Sequence, residues 1–180
     1  MSLWAFVVAA VLLSLERVCY IWAWRAPDSF RAFCARPGVM ALGDPVSVLQ
    51  KLFFCFKGIQ LAVFFGWCYL HGYGLLPSLM SRDFVVLAIG TAVIIAGQFL
   101  NFSVFYRLGK IGVFYGTKFG YVVPWCRAFP FSFLAHPQYV GAVFSIWGFF
   151  FTVGFPHDNW YLLPALQTIY YLAGAYFESQ

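Results

Sequence analysis

Five long apolar runs constrain this chain more than any other feature of its sequence. They cover about residues 3–24, 46–70, 84–106, 137–155 and 160–177. Each has the length of a helix that crosses hydrocarbon, which takes about 20 mostly apolar residues. Inside a bilayer only helices or closed barrels satisfy their own backbone groups. Runs such as FVVLAIGTAVIIAG lack the strict alternation of barrel strands. The expected fold is therefore all-α: a multi-pass transmembrane helical bundle of four spans plus one re-entrant or fifth spanning segment. Composition agrees, with 63% hydrophobic and only 9% charged residues, against roughly a quarter charged in soluble domains. The runs take up most of the 180 residues, so the whole chain, 1–180, is read as a single integral-membrane domain.

The charges between the runs set an orientation. The first loop holds Arg25, Arg31 and Arg36, with Lys51 just inside the second run, and the second loop holds Arg82 alone. The third holds Arg107, Lys110, Lys118 and Arg127, and the FPHDN turn after the fourth run has no Lys or Arg. Basic loops stay in the cytosol. The first and third loops and the C-terminus are placed there, with the N-terminus outside or lumenal. The N-terminal run lacks the basic leader of a cleavable signal peptide and is read as a retained segment. A net charge of +5 spread beside the runs suits an anionic membrane surface rather than nucleic acid. Five cysteines without CxxC spacing suggest neither a disulfide framework nor a metal site.

Chemistry is expected in the polar stretch 107–141, RLGKIGVFYGTKFGYVVPWCRAFPFSFLAHPQYVG. Gly109, Gly112, Gly116 and Gly120 recur through it, and glycines allow turns and close approach to a ligand. Their spacing is not that of a dinucleotide-binding fingerprint. The cluster His136-Pro137-x-Tyr139-x-Gly141 opens the fourth run, with Pro137 suited to a first helical turn and His136 to the cap. If the fourth and fifth runs form a hairpin, Glu178 returns to the face on which His136 lies. Gly90 and Gly97 share one face of the third run, a spacing that lets helices approach closely. Glu16 lies inside an apolar run, where a charge marks a functional position by default. Glu16 and Arg17 project about 100° apart on a helix, so they are not expected to pair, and Arg17 is read as reaching toward an interface.

Three blocks, R-L-G-K-I-G-V-F-Y-G-T-K-F-G, F-P-F-S-F-L-A-H-P-Q-Y-V-G and the closing aromatic run with Glu178, carry a resemblance. Over roughly its C-terminal half the chain resembles the small integral-membrane phospholipid N-methyltransferases, which convert phosphatidylethanolamine to phosphatidylcholine. The resemblance implies S-adenosylmethionine as methyl donor, a phospholipid substrate from the bilayer, and the endoplasmic reticulum. It also implies a cofactor site built from a G-x-G element in the third span and a Glu-Glu pair near the C-terminus. Here those positions hold Ile95-Ala96-Gly97 and Glu178-Ser179, so one residue of each matches. The arginine that often precedes the His-Pro pair in the wider superfamily is Ala135.

Under this resemblance His136 and Glu178 are the candidate catalytic residues. His136 is the first candidate for general base, because its ordinary pKa is near neutrality. Glu178 is the second, or a ligand for the cofactor's ammonium or ribose. Gly97, Gly109, Gly112, Gly116, His136, Tyr139, Gly141, Glu178 and Ser179 are expected at the cofactor, with Gly97 also read as a packing residue. Tyr115, Phe119 and Tyr139 offer faces for cation–π contact. Lys118 and Arg127 are candidates for the substrate phosphate or the cofactor carboxylate. Two other readings stay open: an enzyme like the isoprenylcysteine carboxyl methyltransferases, which share the HPxY element, and a non-enzymatic structural membrane protein.

Overall fold

The computed structural model describes residues 3–73, 83–124 and 126–179; Arg82, one of the charges used for orientation, lies outside them. The elements are α1 (Leu3–Arg25), α2 (Pro27–Cys34), α3 (Pro37–Met40), α4 (Pro45–Leu70), α5 (Phe84–Val113), α6 (Pro137–Gly154) and α7 (Leu162–Glu178). A 3-10 turn spans Gly116–Phe119. The described residues form helices and no strands. Proline stands in the first turn of α2, α3, α4 and α6, where its missing N–H costs nothing and its fixed φ is already helical.

Each apolar run lies within one long helix. Two details differ from expectation. The third run was expected to end near 106; α5 kinks close to there, at Gly109 with φ 61° and ψ −175°, and a short further helical segment runs on to Val113. That kink falls just past the apolar stretch, between Arg107 and Lys110. The first loop also folds into α2 and α3, whose short lengths leave little trace in a hydropathy reading.

Among the described residues α1, α4 and α5 are long and apolar enough to cross a membrane. Their outward faces agree, since Val8, Val11, Phe54, Leu61, Ile95, Phe99 and Phe102 are all exposed. So much contiguous apolar surface is unfavourable against water and neutral against lipid.

The helices alternate in direction. Phe6 of α1 packs on Trp67 of α4, and Glu16 meets Lys57, so these two run antiparallel. Tyr170 reaches the carbonyl of Ala10 while Gly174 lies against Arg17, so α7 runs parallel to α1. The closest pair is α5 with α6. A Cβ at Gly97 would lie 2.5 Å from the Gly141 carbonyl oxygen, and one at Gly148 would lie 2.8 Å from the Gly90 carbonyl. Four glycines thus bring the two backbones together, as small residues do between membrane helices. Ser145 bonds the Gly141 carbonyl and Gln98 at 2.8 and 2.9 Å, closing the polar groups of this seam.

The two basic loops meet at one end of the bundle. Asp44 caps α4 by accepting from Ser47, and it also accepts from Tyr121 at 2.9 Å. Lys110 donates to Ser47 at 2.9 Å, and Arg31 donates to the Lys118 carbonyl at 2.7 Å. The bonds from Ser47 and then Tyr121, with the Lys110 charge nearby, hold the Asp44 carboxyl below the usual aspartate range. A depressed carboxylate stabilises the fold above its ordinary pKa, and that contribution is lost as pH falls through the depressed value.

Two outcomes follow from this packing. Gly97→Val is expected to lower the stability of the detergent-solubilised protein by about 1–3 kcal/mol, the usual range for overpacking. Gly58→Ala, where a Cβ meets nothing within 4 Å, leaves stability unchanged or raised, and thermal unfolding compares the two. Asp44→Ala should cost about 1 kcal/mol through loss of the cap. The same variant should flatten the loss of stability on acidification, measured by unfolding between neutral pH and the acid side of the carboxylate range.

Candidate active site

Two apolar clusters build the interior, and a polar layer separates them. The first contains Leu13, Phe64, Trp67, Phe150 and Leu163. The second, nearer the basic loops, contains Tyr20, Ala23, Phe30, Leu49 and Phe114. Between them along α1 and α4 fall Glu16, Arg17, Lys57 and Gln60. Arg17 Nη2 reaches Glu16 Oε1 at 2.6 Å, and Lys57 Nζ reaches Glu16 Oε2 at 3.1 Å. Lys57 also donates to Gln60 Oε1 at 3.0 Å and to the Tyr171 hydroxyl at 3.3 Å. Glu16 and Arg17 are only 6% and 7% exposed.

This corrects the expectation that Glu16 and Arg17 would not pair and that Arg17 would reach an interface. The arginine side chain is long enough to wrap around the helix by the intervening angle. Rings then enclose it: the Arg17 Cζ lies 4.4, 5.1 and 5.2 Å from the centroids of Tyr171, Tyr20 and Tyr139. Cation–π attraction is strongest where water is excluded.

The layer borders a cavity of about 770 Å³, within the size range of small-molecule sites. The C-terminal halves of α1, α5 and α7 and the N-terminal halves of α4 and α6 line it, so it lies at the bundle end that carries the basic loops. Its lining includes exposed residues in two places. Thr117, Pro124, Arg127 and Ala135 are exposed on the loop side, and Gln98 and Phe102 on the flank of α5. The first group faces the aqueous end of the bundle and the second the apolar surface.

At the loop end three side chains converge. The Glu178 carboxylate accepts hydrogen bonds from the hydroxyls of Tyr115 and Tyr139. Those two hydroxyls lie 3.3 Å apart. Tyr115 occupies the left-handed region at φ 57°, uncommon for a bulky residue, and its ring packs edge-on against Tyr20 and Trp24. His136 caps α6 and stacks on Tyr139 at 5.6 Å with 11° between the planes. The α6–α7 hairpin thus returns Glu178 to the His-Pro-x-Tyr cluster.

Of the residues singled out from sequence, Glu16, Arg17, Gly112, Tyr115, Arg127, His136, Tyr139 and Glu178 line the cavity. The others are placed elsewhere. Gly97 and Gly141 face each other across the α5–α6 seam, and Gly109 breaks α5 at an exposed position. Gly116 is packed against the Ile111 backbone, and Phe119 stacks on Phe30. Ser179 is exposed and bonds the Tyr176 carbonyl at 2.9 Å. Lys118 lies 4.0 Å from the Trp24 ring centroid. Lys57, Gln60, Asn101 and Tyr171 line the cavity and were not singled out. One signal for them was legible: Lys57 and Gln60 stand three residues apart inside an apolar run, which puts both on one helix face.

Comparison with known proteins places the chain in a family. Residues 85–180 match the family model described as phospholipid methyltransferase. A phosphatidyl-N-methylethanolamine N-methyltransferase of Arabidopsis thaliana is 31% identical over 139 residues, 77% of this chain and 74% of that protein. No solved structure matches the chain. With α5, α6, α7 and the Tyr115–Tyr139–Glu178 cluster all inside the matched region, the chain belongs to the phospholipid methyltransferase family.

Proposed function

We propose that the protein is an S-adenosylmethionine-dependent N-methyltransferase acting on phosphatidylethanolamine and its mono- and dimethyl derivatives, leading to phosphatidylcholine. The observation that carries this reading is the Glu178 carboxylate, held by two tyrosines in a cavity open both to the loop end and to the apolar flank. A water-soluble cofactor and a lipid need such a site. The name of the Arabidopsis relative favours monomethylated phosphatidylethanolamine among the substrates.

The cavity fits the cofactor by size and by its donor set. It contains the Glu178 carboxylate, the rings of Tyr115, Tyr139 and Tyr20, and buried polar atoms without protein partners, among them Asn101 Oδ1. S-adenosylmethionine, when bound, supplies an electrophilic methyl group on a sulfonium. Glu178 accepts from the ammonium or hydroxyl donors of that ligand, and the tyrosine faces stabilise positive charge near them. His136 at the α6 cap takes the proton that the substrate ammonium must lose before its nitrogen has a lone pair. Arg127, exposed at the loop-side rim, attracts anionic groups to the mouth. Lys118 serves the same rim from outside the cavity lining. The seam of Gly97 and Gly141 contributes by fixing α6, and with it His136 and Tyr139, against α5. The chief contribution of these residues in this reading would be to hold the two ligands in a fixed mutual orientation.

All 180 residues form one integral-membrane domain in this proposal. The 18 residues of α6 and 17 of α7 extend about 27 and 26 Å at 1.5 Å per residue. They cross beside α1, α4 and α5, giving five spans. The basic loops at the cavity mouth support a cytosolic active site, and membership of the family supports the endoplasmic reticulum as its membrane.

Membranes carrying the protein and labelled S-adenosylmethionine test this reading. Label is expected in base-stable methylated headgroups. A base-labile methyl ester, or no lipid product from any ethanolamine phospholipid, overturns it. Glu178→Gln should reduce kcat/KM by about 10²-fold or more, with the loss falling largely on the KM for S-adenosylmethionine. His136→Ala should reduce kcat by about 10²- to 10⁴-fold, the span of general base catalysis. Full activity in both variants rejects this assignment of the site.

A further inference from the structure

Buried Arg17 of α1 and half-buried Lys57 of α4 lie outside the region matched to the family model, and the chemistry above does not use them. Arg17 and Lys57 together face one carboxylate, Glu16, so the layer holds one more positive charge than it neutralises. Uncompensated charge in a low-dielectric interior is costly, and a buried cation without an anion calls for one. The Glu178 carboxylate does not fill that role, because its hydrogen bonds go to Tyr115 and Tyr139.

Two donors in this layer are also unpaired. Arg17 Nη1 and Gln60 Nε2 are buried with no hydrogen-bond partner. Their residues are 7% and 8% exposed, and both line the cavity. Buried donors are nearly always satisfied in native structures. An arginine edge with a free N–H and a neutral amide donor lining the same cavity suit the oxygens of a phosphate diester. Across the layer, Tyr139 separates this positive pole from a negative one. Its ring lies 5.2 Å from Arg17 Cζ, and its hydroxyl bonds Glu178. The cavity is thus a dipole whose poles stand on either side of one tyrosine.

The geometry points to Arg17, assisted by Gln60, as the binding site for the phosphate of the lipid substrate, with the headgroup amine directed past Tyr139 toward Glu178 and His136. This rests on the proposed lipid N-methylation and deepens it. An ethanolamine phospholipid headgroup is a zwitterion with a two-carbon bridge between phosphate and amine, and it matches the two poles in sign and order. The phosphate contact moves from the loop residues Lys118 and Arg127 to the membrane-embedded layer. Acyl chains then leave the cavity along the exposed flank at Gln98 and Phe102.

The test compares phosphatidyl-N-methylethanolamine with a phosphate-free diacylglyceryl ether of N-methylethanolamine. Full-length protein in lipid nanodiscs is used, as wild type and as the double variant Glu16→Gln/Arg17→Gln, which removes one charge of each sign. In the wild type, loss of the phosphate should raise the lipid KM about 10- to 100-fold, the worth of a hydrogen bond to a charged group. In the double variant the ratio between the two lipids should fall to within about twofold, with the KM for S-adenosylmethionine unchanged. If the KM for S-adenosylmethionine rises instead, Arg17 holds the cofactor carboxylate and the inference is overturned. Equal losses on both lipids overturn it as well. Gln60→Ala leaves the charges in place and covers the case in which the double variant does not fold: it should weaken the phosphate-bearing lipid alone, by several-fold. Thermal unfolding with each lipid gives a readout independent of turnover. Stabilisation by the phosphate-bearing lipid that is lost in either variant supports the site even if methylation fails, and equal stabilisation in wild type and variants rejects it.

Discussion

Ions enclosed between hydrocarbon-facing helices must be matched by other groups, and this constraint organises the bundle. Glu16 binds Arg17 on its own helix and Lys57 on α4, while Lys57 reaches Tyr171 on α7. One carboxylate therefore sets the mutual height of three helices. Apolar packing alone would leave that height weakly specified, because leucine and phenylalanine contacts tolerate sliding. The charged layer also divides the interior. On one side of it lies the cluster of Leu13, Phe64, Trp67, Phe150 and Leu163; on the other lie the second cluster and the cavity beside it.

The other fixed relationship is the α5–α6 seam. Its four glycines bring the two backbones so close that neither helix can rotate without collision. The rotation of α6 decides where Tyr139 points, since Gly141 lies two residues further on and faces nearly the opposite way. The glycines thus act on the site indirectly. Tyr139 then joins both parts of the interior, with its ring against Arg17 and its hydroxyl on Glu178.

Much of this was legible in the sequence. The five apolar runs located the long helices to within a few residues, except at the end of α5. The return of Glu178 to the His-Pro-x-Tyr cluster followed from hairpin geometry alone. The charge pattern also grouped the first and third loops, which bonds from Arg31, Lys110 and Tyr121 join. The polar layer was only half legible. Glu16 stood out as an isolated charge, but its partner Lys57 lies 41 residues away, and no local pattern links them. The pairing with Arg17 escaped because helical angles describe where Cβ atoms point, not where a flexible guanidinium can reach. The glycines of the polar stretch were a different case. Their number suggested a ligand cradle, yet only Gly112 lines the cavity, because a turn between tightly packed helices needs glycine for its own geometry.

The two exposed parts of the cavity lining have a kinetic meaning. Water-soluble and membrane-bound reactants arrive from different phases, so neither has to leave for the other to enter. Under the proposed function, spent cofactor would exchange at the loop end while the lipid stayed anchored through the flank of α5. Each methyl transfer changes only the amine end of the headgroup, and the anchored end looks the same after every cycle. A bundle of this shape allows a lipid to be methylated more than once per encounter, and the distribution of intermediates then depends on how fast acyl chains slip past Phe102 relative to cofactor exchange.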